Sequence, residues 1–569
     1  MAEYLSPGIY VEEYDSSPRA IEGVGTSTAG FVGLAEKGPT SGAPALITSF
    51  ADYTRLFGGY LSAHTHGDFR FLPYAVEQFF VNGGTRCYVS RVIPPDAKAA
   101  SGSEGPLSLT AANEGKWGNR LTASFVGTAR YKMQLLSEAD GENAYTAKSA
   151  AAFKAGDIVT FEGEANRVVS VQDGVVTFEK AFSKDPVDAA LVPKKFVHSA
   201  ELDIILRAEG AAEVYNDVNL NESSPNFIER KLSASELVKA AFKSSGDVEA
   251  PIAAIFGADA EKGTISLSGG SDGSIEAVDA GVFMGVDGGP GARTGIEAFK
   301  ENNIVSILAV PGVTIPEVVV SLVAHCENEK SRFAIIDVPI AKVKPADVAE
   351  YREIIDSSYA AIYHPWVQVF DRLANKPVFV PPSGSVAGVY SRTDIVRGVH
   401  KAPANETVTC TGLSTNYTTK EQDLLNPVGV NLIRALPGQG IRVWGARTAS
   451  SDSNFKYVNV RRLFIYVEES IRYSTNWVVF EPNNPDLWGR VQMTITGFLD
   501  SLFRQGMLAG DSPGQAYFVE IGPQTMTRDD ILNGRLICNI GIAPSRPAEF
   551  VIFRVTQFTA EAGGGGGEE

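Results

Sequence analysis

The chain has 569 residues, with 50 Lys and Arg against 67 Asp and Glu, a formal net charge of −17. At about 150 residues per domain that length holds roughly three or four domains, and 44% hydrophobic with 21% charged residues is the balance of a soluble globular chain. An acidic chain without a basic cluster is unsuited to nucleic acid, whose phosphates demand concentrated Lys and Arg, so no direct nucleic-acid contact is expected. Apolar runs such as Glu317–His325 are far too short to cross a bilayer, and no membrane insertion is expected. The N-terminus has no basic region followed by an apolar run, so no secretion signal is read and folding in a cytoplasm is expected. Cys87, Cys326, Cys410 and Cys538 lack CxxC spacing and read as reduced thiols, with disulfides or a zinc site as the alternatives.

In chain order, the first predicted element is a strand, Pro7, Gly8, Ile9, Tyr10, Val11, Glu12 and Glu13. A Ser- and Pro-containing linker follows, with Asp15, Ser16, Ser17, Pro18 and Gly23 as its hinge residues. Terminal segments fray unless tied down, so this strand lacks an evident partner. Residues 29–93 read as a compact α/β piece: a strand at AGFVGLA, a helix with Ser49 as N-cap, Asp52 in its first turn and Gly58 at its end, a second helix with Leu72, Ala75, Val76 and Phe79 on one stripe, and a strand at TRCYVSRVI. Residues 94–115 read as a loop, and WGNRLTASFVG opens a strand. Over 150–182, Asp173-Gly174 between two β-rich runs predicts a hairpin in a small inserted all-β module. The glycine-rich stretch 257–295 reads as loops.

From residue 300 the pattern is βαβ: apolar strands at NNIVSILAVPG, RFAIIDVP and YAAIYHPWVQVF alternate with helices at IPEVVVSLVAHCENE and KPADVAEYREIIDS. Continuous apolar strands between helices imply a mostly parallel sheet covered on both faces. Two amphipathic helices follow. One carries Val460, Leu463, Phe464, Val467 and Ile471 with a Glu468–Arg472 pair; the other carries Leu487, Val491, Ile495, Phe498 and Leu502 after Asn484 as cap. The last predicted strand is Glu549, Phe550, Val551, Ile552, Phe553, Arg554 and Val555, ahead of a Gly-rich tail.

A parallel sheet invites a search for catalysis. GTSTAG, Gly25 to Gly30, resembles the serine segment of subtilisins but precedes the βαβ region, against the subtilisin order. Asp337, His364 and a later serine form a set only on paper. GVDGGPGARTG lacks GK[ST] and is no phosphate loop. His64 and His66 read as an exposed pair. Catalytic, cofactor and metal sites are all expected to be none.

Taken together, PGIYVEE, FFVNGGTRCYVSRV, WGNRL, IRVWGARTAS, YVNVRRLFIYVEESI, FEPNNPDLW and IGIAPSRPAEFVIFRV resemble, in order and over most of the chain, the contractile tail sheath proteins of myophages, R-type pyocins and contractile injection systems. The resemblance implies an α/β multidomain chain: an N-terminal arm and hinge (1–24), a sheath core from its N- and C-terminal parts (25–100 and 401–545), an outer domain (101–290) with a β module at about 130–200 as variable decoration, a non-catalytic subtilisin-like α/β domain (291–400), a C-terminal strand arm (546–558) and a tail (559–569). It also implies a structural subunit whose partners are its own copies in stacked rings, an inner tube protein, and baseplate and tail terminator or cap proteins. Such a subunit is assembled in a bacterial cytoplasm into a virion tail or an injection particle. A helix of the C-terminal core would face the tube, for which Asp500 and Arg504 are candidates.

Both terminal strands fit donation to a neighbour's sheet. Each begins after a proline-containing pair, and the C-terminal one alternates Phe550 and Ile552 against Val551, Phe553 and Val555, so both faces are apolar. The rival readings are a subtilisin-like hydrolase, a surface-layer protein and a tail-tube protein.

Overall fold

The computed structural model describes residues 21–187, 195–244, 246 and 248–554. The predicted strand Pro7–Glu13, the hinge residues Asp15, Ser16, Ser17 and Pro18, and Val555 lie outside them.

The segment AGFVGL forms a strand, β1 (Ala29–Leu34), in which every residue is buried. A strand apolar on both faces is stable only with cover on both, and β1 lies inside a nine-stranded sheet. The other members are β2 (Ala45–Ile47), β3 (Cys87–Val92), β4 (Ile307–Ala309), β5 (Phe333–Asp337), β6 (Ala360–His364), β7 (Glu406–Thr407), β8 (Val430–Leu436) and β9 (Gly440–Val443), in the order β2-β3-β1-β4-β5-β6-β8-β9-β7. The run from β3 to β8 is parallel, with Ala29 opposite Ile307 and Ile336 opposite Ile362. The expectation placed residues 25–100 and 291–400 in different parts; here they share this sheet, because β1 inserts beside β4 and satisfies its edge.

Helices cover both faces. α1 (Phe50–Phe57) is capped by Ser49, which accepts from Asp52 N, and ends at Gly58. α2 (Leu72–Val81), with α5 (Ser383–Arg397), covers one face; α3 (Pro316–Glu329) and α4 (Pro345–Arg352) cover the other. The α2–α5 contact is very close: a Cβ on Gly384 would stand 2.4 Å from Ala75 O, and one on Gly388 2.5 Å from Phe79 O. Only glycine at both positions lets α5 lie against α2 at this depth.

Three expectations are corrected. Residues 94–115 hold a hairpin, Ser101–Glu104 with Leu107–Ala111, whose LSLTA alternates buried and half-buried positions; the neighbouring Gly and Ser residues conceal that period. Residues 257–295 include a strand, Lys262–Ser266, and a helical turn, Ala280–Met284. YAAIYHPWVQVF is two strands, because Pro365 lacks a ladder N–H; β6 stays in the main sheet and Val367–Asp371 joins another.

Six strands within residues 132–178 and 197–199 form a closed barrel. Its hairpin turns at Asp173 and Gly174, whose φ values of 50° and 80° are those of a twisted two-residue turn. Closure removes free edges, and Met133, Leu135, Phe161, Val168 and Phe178 fill the interior.

Candidate assembly surface

The C-terminal part is built on α6 (Val458–Ser474) and α7 (Pro485–Arg504). Asn484 caps α7 by accepting from Leu487 N, and Leu487, Val491, Ile495, Phe498 and Leu502 are all buried. On α6, Val460, Leu463 and Val467 are buried as the stripe requires, but Arg472 pairs with Glu469, not with Glu468 as expected. Glu469 is the buried one of the two, so the pair forms where a lone carboxylate would cost most.

One face of α6 receives the chain as it arrives from the N-terminal arm. Val24 N donates to Ser470 Oγ (3.1 Å), and Thr26 Oγ1 to Asp394 Oδ2 (2.7 Å). Arg462, almost wholly buried, donates to both oxygens of Asp394 (2.9 and 2.6 Å) and to Thr26 O (2.9 Å), and its guanidinium lies 4.7 Å from the Tyr390 ring centroid. A Cβ on Gly23 would stand 2.0 Å from Tyr466 Oη. Gly23, expected as a hinge residue, is instead held against α6; its missing side chain permits contact.

The segment leading to Glu549 is held at the other end of α6. Asn459 Nδ2 donates to Ser545 O (3.1 Å). Glu549 accepts from Arg447 Nε and Nη2 (2.8 Å each), from Asn426 Nδ2 (2.7 Å) and from Tyr457 OH (2.8 Å). Burial alone would raise this carboxyl; the bonds from Arg447, Asn426 and Tyr457 outweigh it and hold the group below the ordinary glutamate range. Glu549, expected as the first residue of a donated strand, is held by these four bonds in its own chain and lies in no strand there. Beyond it, Phe550, Val551, Ile552 and Phe553 are 72%, 66%, 80% and 85% exposed, and no strand includes residues 549–554. Among the described residues this segment, apolar on both faces, has no partner for its ladder.

An open hairpin stands nearby, β10 (Tyr517–Ile521) paired antiparallel with β11 (Cys538–Ile542). Among the described residues no third strand pairs with either edge. Its inner residues, including Val519 and Ile540, pack toward α7, and Gln492 Nε2 donates to Val519 O (3.1 Å). On the outer side Phe518 lies across its cross-strand partner Gly541, 53% exposed. Sequence reading missed this hairpin; the alternation in YFVEI is the signal that could have found it. The arm anchors Glu549–Arg447 and Asp394–Arg462 left no local signal, since each joins residues far apart in the chain. On α7, Arg504 is 78% exposed and pairs with Asp500 at 2.7 Å.

The catalytic set is not assembled. Ser27 of GTSTAG precedes β1, at the amino end of the parallel sheet, whereas Asp337 and His364 lie at the carboxyl ends of β5 and β6, and the later serine that meets Asp337, Ser383, is not hydrogen-bonded to His364. Asp337 is opposite Tyr363, whose hydroxyl meets Tyr390 on α5; His364, one residue on, faces the other way, to Tyr417 OH at 2.9 Å. Asp337 instead accepts from Ser383 N (2.9 Å), Ser383 Oγ (2.6 Å) and Gly312 N (3.0 Å), which ties the start of α5 to the loop after β4. Ligands of open α/β sheets bind outside the strands' carboxyl ends where strand order reverses. Here that is between β1 and β4, and Phe71, stacked edge-on against Trp366 at 4.9 Å, meets Gly312 there, both rings being buried. His64 and His66 share one helical turn, and among the described residues no three His, Cys, Asp or Glu side chains gather as metal ligands.

Comparison with known proteins places these features. Residues 285–449 match the model of the phage tail sheath protein central domain, and the adjoining residues 450–558 match that of the phage tail sheath C-terminal domain. Over residues 285–558 the chain is thus similar to the phage tail sheath family. These models and the relatives that match the chain all describe tail sheath proteins, the structural subunits of a sheath. A prophage major tail sheath protein of Pseudomonas aeruginosa is 26% identical over 292 residues, 49% of this chain and 73% of that one. The tail sheath protein of Burkholderia phage BcepMu is 26% identical over 309 residues, 50% of this chain and 62% of that one. Among solved structures, the contracted PVC sheath complex of an extracellular contractile injection system shares the fold, with a TM-score of 0.53 and 22% identity over 99% of this chain and 100% of that one. The contracted helical sheath of the anti-feeding prophage has a TM-score of 0.52 at 23% identity, over 98% of this chain and 100% of that one. Among the described residues, no helix of the subunit is long and apolar enough to cross a membrane.

Proposed function

We propose that the sheath subunit polymerises around an inner tube by exchanging its terminal arms, each adding a strand to the open β10–β11 hairpin of a neighbour. The carrying observation is the pairing of opposites in one chain: a hairpin with no third strand among the described residues, and an arm, Phe550–Phe553, with apolar side chains on both faces and no ladder among those residues. A two-stranded sheet is marginal in water, and added strands complete it. Each interstrand bond contributes about 1 kcal/mol net. One arm therefore gives a few kcal/mol before the cost of ordering it, and the lattice gains by effective concentration.

With Gly23 and Glu549 anchored, the pivots of each arm lie outside them, before Ile21 on one side and after Glu549 on the other. Contraction is then a release of an extended, metastable lattice into one with more contact surface, and needs no nucleotide. The sheet's 291–400 part is read as a subtilisin-like scaffold without catalysis, and the barrel as outer decoration. The exposed side of α7, with Asp500 and Arg504, is the tube-facing candidate; the baseplate and a terminator or cap protein are the end partners, and assembly takes place in the cytoplasm. The test is deletion of residues 1–14. Folded subunits that form no sheath are expected; tubes of normal length from this variant refute strand exchange.

A further inference from the structure

Phe480 combines two local penalties. Its φ is +68°, a conformation that bulky side chains avoid, and its ring is 102% exposed. Val479 beside it is 62% exposed. The neighbours on both sides are ordinary: Trp477 and Val478 pack on the α6–α7 cluster, and Glu481 pairs with Arg490 at 3.2 Å. No ring in the described residues stacks on Phe480. Residues held in strained backbone conformations cluster where a structure makes functional contacts, so an outlier this exposed points to a contact made outside the chain.

The loop's position says which contact. Asn483 Nδ2 donates to Arg535 O (3.0 Å), and Trp488 Nε1 to Asn483 Oδ1 (2.7 Å). Arg535 leads directly into β11, so the Phe480 loop is fastened at the end of the open hairpin where β11 begins. Leu532, 74% exposed, ends the short helix Arg528–Leu532 just before the same point. An arm strand laid on the hairpin has one apolar face against the α7 side; its other face stays in water unless something covers it.

We infer that Val479 and Phe480 form a knob that covers the outer apolar face of a second copy's C-terminal arm, Phe550–Phe553, once that arm is seated on the hairpin. The inference rests on the strand exchange proposed above. It commits to the arm because the loop that carries the knob is bonded to the chain just ahead of β11 and because the arm is the one described segment with four successive exposed apolar side chains. Knob and arm lie at separate places on each copy, so the contact is head-to-tail, of the kind that closes into a ring or continues as an open helix.

Two measurements test it. Phe480→Gly removes both strain and ring: the free subunit is expected to melt a few degrees higher, while the concentration needed for sheath formation rises at least tenfold. Unchanged assembly overturns the inference. In the second, chains carrying Phe480→Cys are mixed with chains carrying Phe553→Cys and treated with a short bismaleimide. A cross-linked dimer between the two chain types, absent when either substitution is omitted, is expected; sheaths that form without it overturn the inference. Deletion of residues 546–558 separates the two levels: if it leaves assembly intact, strand exchange itself fails, whereas if it abolishes assembly and Phe480→Gly does not impair it, only the knob fails.

Discussion

Arg447 grips Glu549 through two parallel bonds of 2.8 Å each, and so pins the chain immediately before the exposed run Phe550–Phe553. Arg447 is 9% exposed at its side chain and Glu549 19%. Removing one partner leaves the other charge desolvated and unpaired, which is costlier than removing both. Glu549→Ala is expected to destabilise the subunit by about 2 kcal/mol, read as a lower urea midpoint at pH 7. The effect has a pH signature. Because the folded pKa lies below the ordinary glutamate value of 4.5, the stabilisation is complete above that value and is lost as pH falls below it. The wild-type chain should therefore lose more stability on acidification than the Glu549→Ala variant does.

The buried pair Arg462–Asp394 predicts a different pattern. Both side chains are almost fully buried, at 3% and 2% exposure. Arg462→Met strands the Asp394 carboxylate with Thr26 alone, and should cost about 3 kcal/mol or more. The double change Arg462→Met with Asp394→Leu should cost less than the single one, because no buried charge is left behind. A double-mutant cycle by chemical denaturation measures this; additive losses would show that the pair contributes nothing as a pair.

Much of this architecture is legible in the sequence, and the rest is hidden for definite reasons. Ser49, Asn484 and Asp173-Gly174 declare their caps and turn locally, and each occupies that role. The βαβ alternation from residue 300 declares a parallel sheet. What it does not declare is that β1 completes that sheet, because strand pairing over such a separation leaves no local pattern. The same holds for the assembly surface. The apolar run Phe550–Phe553 is visible as a strand in search of a partner, but the clamp on Glu549 draws on Asn426, Arg447 and Tyr457, three residues whose meeting is a product of the fold. Gly23 reads as flexibility in a Ser- and Pro-rich linker; only the ring of Tyr466 above it shows that the glycine serves proximity.

That contact gives a steric prediction. A methyl group on Gly23 would collide with the Tyr466 hydroxyl and ring, and tyrosine rings on a packed helix yield only by shifting. Gly23→Ala should cost about 1–2 kcal/mol, and should loosen the arm's first anchor, the bond from Val24 N to Ser470 Oγ. Faster amide exchange at Val24 is the direct readout. Adding Tyr466→Ala should restore the exchange rate toward that of Tyr466→Ala alone. Equal exchange in wild-type and Gly23→Ala chains would contradict a root held by close packing.

Asp337 predicts an inverse pH dependence, distinct from that of Glu549. Burial pushes its carboxyl up to about 6 from an ordinary 3.8, although three donors, from Gly312 and Ser383, point at it. A raised carboxyl means that the folded chain holds its proton where the unfolded chain has released it. Stability from this group is therefore complete below pH 3.8 and is lost as pH rises toward 6, by about 3 kcal/mol at most. Above that range the term is constant. Asp337→Asn abolishes the slope and also lowers stability throughout, because an amide nitrogen replaces an acceptor oxygen that now receives a donor. Urea midpoints for both chains between pH 4 and 7 measure the two effects together. A wild-type chain whose difference from Asp337→Asn is the same at pH 4.5 and pH 6.5 would show that the three donors, not burial, decide the protonation of Asp337.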